Sequence, residues 1–116
     1  SFGPGTWRLI AGVNPEKVDT AVAAMLAEIK RLATRLVTPT ELADSKSFIL
    51  GLLPLQLETN EGVAGTLTTI ELHELGLDYL QRLPDQINAL TRADIRSAAA
   101  RLLDSNKYVL ATAGPK

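Results

Sequence analysis

His73 is the only histidine in the chain, and in "IELHELG" (residues 70–76) it lies between Glu71 and Glu74. Imidazole and carboxylate together can bind zinc or move protons, so spacing decides what this stretch can do. The zinc-protease motif His-Glu-x-x-His needs a second histidine at position 77, which is Leu77. The inverted motif, His-x-x-Glu-His, needs glutamate at 76 and histidine at 77, where Gly76 and Leu77 stand. On a helix, the partners of His73 sit three or four residues away. Those positions hold Thr69, Ile70, Gly76 and Leu77, none a strong ligand. Glu71, two residues away, points to another side. One imidazole does not complete a tetrahedral zinc site. The simpler reading makes His73 a helix C-terminal residue before Gly76, where a partial positive charge suits the helix dipole.

Other residues with chemical potential read the same way. Glu58 and Glu61 in "LETNEG" could pair as acid and base within a cleft. A solvated junction, with Glu61 in the first turn of the next helix, accounts for them more simply. Ser45, Ser47 and Ser97 lack the Gly-x-Ser-x-Gly elbow of a hydrolase nucleophile. "GPG" at residues 3–5 is too short for a phosphate loop and precedes a strand pattern instead of a helix. Lys30, Arg31 and Arg35 cluster where a helix should end, and complement its dipole. Trp7 and Tyr108 read as packing or interface residues. No catalytic, cofactor-binding or metal-ligating residue is assigned.

The elements that would position these groups follow from local signals. "TWRLIAGV" (residues 6–13) and "KYVLATAG" (residues 107–114) are apolar and suit strands. "NPEK" opens a helix over 15–34, with Asn14 as cap and Pro15 in the first helical position. Val18, Val22, Met25, Ile29, Leu32 and Leu36 form its one-sided stripe. "TPTE" repeats the signal, with Thr38 and Glu41 forming a capping box. Pro54 should kink or interrupt the helix that follows. A further helix covers about 61–75, and two short helices meet near Pro84. Thr91 with Asp94 starts the last helix, whose buried face is Ile95, Ala98, Ala99, Leu102 and Leu103. The predicted fold is α+β, ordered strand, helices, strand. Two strands alone rarely hold a sheet, so the pattern implies further strands from elsewhere.

The totals exclude several classes. At 116 residues, length implies one domain. Twelve Lys and Arg against thirteen Asp and Glu give no bulk attraction to nucleic acid or an acidic membrane. The absence of cysteine excludes disulfides and thiolate sites but fixes no compartment. No apolar run approaches roughly 18 residues, so no transmembrane helix is expected. The first residues lack a signal-peptide layout and an initiating Met, which suits a piece of a longer protein.

In order along the chain stand "VNPEKVDTA", "VTPTELADSK", "LETNEGVA", "GLDYLQRLPDQINALTRADIRSAAARLL" and "YVLATAGP". Together they resemble the pitrilysin/insulinase metallopeptidase family, which includes processing peptidases, over nearly the whole chain. The resemblance is to the later part of the carboxy-terminal, non-catalytic domain, a two-layer α/β unit. It implies that the family's zinc motif and its substrate-holding arginine–tyrosine pair lie outside this sequence. Zinc is then expected in the parent or a partner domain, with no cofactor in this fragment. The implied partners are the rest of the parent chain or a homologous peptidase subunit, and a peptide substrate. Residues 6–13 would offer an edge to an extended peptide. Apolar sheet surface left uncovered would favour self-association. The alternative is a stand-alone interaction module with no link to proteolysis.

Overall fold

The computed structural model describes residues 5–115. Five α-helices account for its regular structure: α1 Val18–Thr34, α2 Pro39–Gln56, α3 Asn60–Leu72, α4 Tyr79–Ala89 and α5 Arg92–Leu102. A single 3-10 turn, Pro15–Lys17, leads into α1. None of the described helices is long and apolar enough to cross a membrane. The chain divides into two compact units, Ser1–Leu36 with Ala93–Lys116, and Val37–Arg92.

This arrangement corrects the α+β prediction. Among the described residues there is no β-strand. Residues 6–13 and 107–113 are irregular, and no backbone hydrogen bond joins one segment to the other. Their β-branched and aromatic content marks segments that would fit a pleated sheet. A strand exists only when another backbone pairs with it, and two lone segments hold too few pairings. The edge expected at residues 6–13 for peptide addition is therefore not formed. Of the "GPG" turn, Gly3 and Pro4 lie outside the described residues.

In the first unit, α1 forms where its stripe predicts. Asn14 precedes it in an extended conformation but makes no side-chain cap bond. Val18, Val22, Met25 and Ile29, spaced by four, three and four, are all half-buried. Beyond the last turn, the Arg35 N–H donates to the Arg31 carbonyl at 2.8 Å. Arg31 pairs with Glu28 at 3.0 Å. That pair is exposed and contributes little to stability. On α5, Ala99 is buried, Ile95 and Ala98 are half-buried, and Leu102 is exposed.

The second unit packs α2 against α3 and α4. The capping box is present: Thr38 Oγ1 accepts from the Glu41 N–H at 3.1 Å, and Glu41 Oε2 accepts from the Thr38 N–H at 2.7 Å. Pro54 sits inside α2 only two residues before its end, so it marks the stop and does not split the helix. The Leu57 N–H then bonds the Pro54 carbonyl, tightening the exit. Thr59 starts α3, its Oγ1 accepting from the Gly62 N–H at 3.0 Å. The two helices predicted around Pro84 are one. Pro84 is the sixth of eleven residues of α4, where its missing donor forfeits one backbone bond without dividing the helix. Lys46 Nζ reaches from α2 to the end of α4, donating to the Asn88 and Leu90 carbonyls at 2.9 and 2.6 Å. That cation satisfies acceptors the helix end leaves open. Ile70 and Ile87 are this unit's buried apolar side chains.

Candidate functional site

His73 is the C-terminal cap of α3 and is exposed. Its N–H donates to the Thr69 carbonyl at 3.1 Å. Two further bonds close the helix: Leu75 N–H to the Ile70 carbonyl at 3.0 Å, and Glu74 N–H to the Glu71 carbonyl at 3.2 Å. That pair of bonds defines a Schellman closure. The left-handed position it requires falls on Glu74, at φ 51°, not on a glycine. Gly76 is left-handed too, at φ 89°, but belongs to the following turn. There Arg82 pairs with Asp78 at 2.9 Å and donates to the Leu75 carbonyl.

A residue with a β-carbon pays about 1 kcal/mol in a left-handed conformation. Glu74→Gly is therefore expected to stabilise the Val37–Arg92 unit by about 1 kcal/mol. Urea unfolding followed by circular dichroism checks it. A lower midpoint for the variant would refute the cap assignment.

No group of three His, Cys, Asp or Glu side chains that could hold a metal ion occurs among the described residues. Glu58 and Glu61 are both exposed, Glu61 in the first turn of α3. Ser45 and Ser47 lie on α2 and Ser97 on α5. Lys30 and Arg31 fall in the last turns of α1 and Arg35 is its cap residue, which is the dipole-complementing position predicted for them.

The structure brings together what local sequence signals do not. In the first unit a groove of about 770 Å³ is lined by Trp7 and Leu9, by Met25 and Ile29 of α1, and by Tyr108 and Leu110. Its members lie up to about a hundred positions apart, so no local pattern reveals it. Val109 also lines it and is 98% exposed, and Ile10 elsewhere in this unit is 89% exposed. In the second unit, an open depression of about 620 Å³ lies over Leu53, Gly62, Thr66, Thr69 and Tyr79. The hydroxyls of Thr66 and Thr69 are turned back onto the Gly62 and Gly65 carbonyls at 2.8 and 3.0 Å. Both concavities are lined mainly by apolar surface.

No family model, no curated protein and no solved structure matches this chain.

Proposed function

We propose that this chain is a non-catalytic segment of a pitrilysin/insulinase-like zinc peptidase, or of its inactive homologous subunit, lining part of a peptide-holding chamber. One observation supports the reading: much apolar surface is left uncovered. Among the described residues only Ile70, Ile87 and Ala99 are buried apolar side chains, while Trp7, Ile10, Val109 and many others are exposed. Contiguous exposed apolar surface is a feature of protein-, membrane- and ligand-binding faces, and the protein-binding case is the one proposed. The resemblance of five sequence blocks, in order, to that family directs the reading to peptidases. The partners are then the rest of the parent chain or the homologous subunit, and an unfolded peptide. Zinc belongs to the parent or partner domain.

Fluorescence anisotropy of a labelled, unstructured, apolar peptide tests this on the chain itself. Saturable binding is expected, with a blue shift of emission from Trp7, the only tryptophan. Trp7→Ser with Val109→Ser should weaken it roughly tenfold, as loss of an aromatic anchor does. Mass spectrometry should find the peptide intact with or without added zinc. Absence of binding would remove the chamber reading and leave a stand-alone interaction module. Chelator-sensitive cleavage would overturn the non-catalytic assignment.

A further inference from the structure

The unit that bears the groove is discontinuous in sequence. It consists of Ser1–Leu36 and Ala93–Lys116, and the 56 residues of Val37–Arg92 stand between these segments. Both segments line the groove: Met25 and Ile29 belong to the first, Leu103 and Tyr108 to the second. A flexible chain brings its ends together at an entropic cost that grows with its length. The effective concentration of one end near the other falls as roughly the −3/2 power of that length. Closing the 56-residue loop is therefore a condition for forming the groove.

Two cationic side chains of the second unit close it. Arg92, the last residue of that unit, is also the first residue of α5. Val37, its first residue, follows the end of α1 by three positions. Arg92 Nε donates to the Val37 carbonyl at 2.5 Å, across 55 positions of sequence, in a part-buried contact. Lys46 Nζ adds the bonds to the Asn88 and Leu90 carbonyls. A charged donor makes each of these bonds stronger than a neutral pair would. The chain thus leaves the second unit beside the point where it enters.

Local rules argue against arginine at position 92. A cation at the start of a helix opposes the dipole, and the first turn favours acidic residues such as Asp94. Alanine would also suit the helix at least as well by propensity. The bond to Val37 gives this arginine a role that α5 by itself does not.

We infer that Arg92 and Lys46 form a clasp at the base of the Val37–Arg92 unit, so that folding of this unit holds the exit from α1 at the start of α5 and keeps the groove formed. The clasp concerns how the groove is built, not what enters it, and stands independently of any role in proteolysis.

Hydrogen exchange on the whole chain in rising urea tests this. In the wild type, amides of α1 and α5 should never outlast those of α2 and α4, because opening of the second unit releases the ends it holds. Arg92→Ala should speed exchange in α1 and α5 roughly tenfold, as loss of a charge-assisted bond does. It should also speed peroxide oxidation of Met25, the only methionine, severalfold. Lys46→Met should act on the same helices and on Met25 in the same direction. Arg96, exposed on α5, supplies the control: Arg96→Ala should leave both readouts unchanged. Dipole and propensity alone predict the opposite sign for Arg92→Ala, slower exchange in α5, and that result would overturn the inference. So would acceleration confined to α2 and α4. If Arg92→Ala does not fold, the wild type decides. Protection of α1 and α5 that persists after α2 and α4 have exchanged would show that the groove-bearing unit closes without the clasp. No peptide enters these readouts, so their outcome is separate from failure of the chamber reading.

Discussion

Gly62→Ala is expected to destabilise the Val37–Arg92 unit by about 3 kcal/mol or more, against the usual gain from replacing a helical glycine. Gly62 is the third residue of α3, and its N–H is held by Thr59 Oγ1. An ideal β-carbon there would lie 1.8 Å from the Gln56 carbonyl oxygen and 2.9 Å from its carbon. That oxygen belongs to the backbone at the very end of α2, so it cannot rotate away as a side chain would. Alanine must push the start of α3 off the end of α2, loosening the helix pair that frames the unit. Propensity alone argues the other way, favouring alanine by about 1 kcal/mol. Gly65 isolates that term, since a β-carbon at this position meets nothing within 4 Å. Urea midpoints by circular dichroism should therefore move in opposite directions, down for Gly62→Ala and up for Gly65→Ala. Equal shifts for the two would show that propensity, not the close approach, governs both.

The sign at Gly62 also shows where sequence reading reaches its limit. "LETNEG" correctly predicts a junction with Glu61 in a first turn, because caps and first-turn acids act within a few residues. Nothing in those letters reveals that residues 57–59 fold α3 back against the Gln56 carbonyl. The capping box of Thr38 and Glu41 was legible for the same local reason. At the end of α3 the bonds were less legible than the position. Gly76 is the usual stop signal, yet Glu74 takes the left-handed turn, because the closure falls where the Ile70 and Glu71 carbonyls need donors. Residues 6–13 and 107–113 show the opposite failure. Their apolar, β-favouring letters describe compatibility with a sheet, while pairing depends on a backbone that the local sequence does not contain. The place of His73 at the end of α3 was readable, since helix stop signals act within a few residues. The groove over α1 was not, because three distant stretches build it.

Ile70→Ala should be the most damaging truncation of an apolar side chain in the second unit, costing about 3 kcal/mol. Ile70 is 5% exposed, and with Ile87 it constitutes the buried apolar side chains of the described part of this unit. At about 0.1 kcal/mol per residue, the 56 residues of Val37–Arg92 hold about 5–6 kcal/mol in all. One cavity then removes about half of the stability, where a larger core would spread the loss over many neighbours. The Leu75 N–H also bonds the Ile70 carbonyl, so loosening this turn releases the closure that positions His73 and Glu74. Leu77, at 91% exposure, is the matched control. Leu77→Ala should change stability by less than about 0.5 kcal/mol. Hydrogen exchange resolves the two. Ile70→Ala should speed exchange of the α3 and α4 amides together, while Leu77→Ala leaves both unchanged. Faster exchange confined to α3 would mean that Ile70 anchors its own helix and not the packing of the unit.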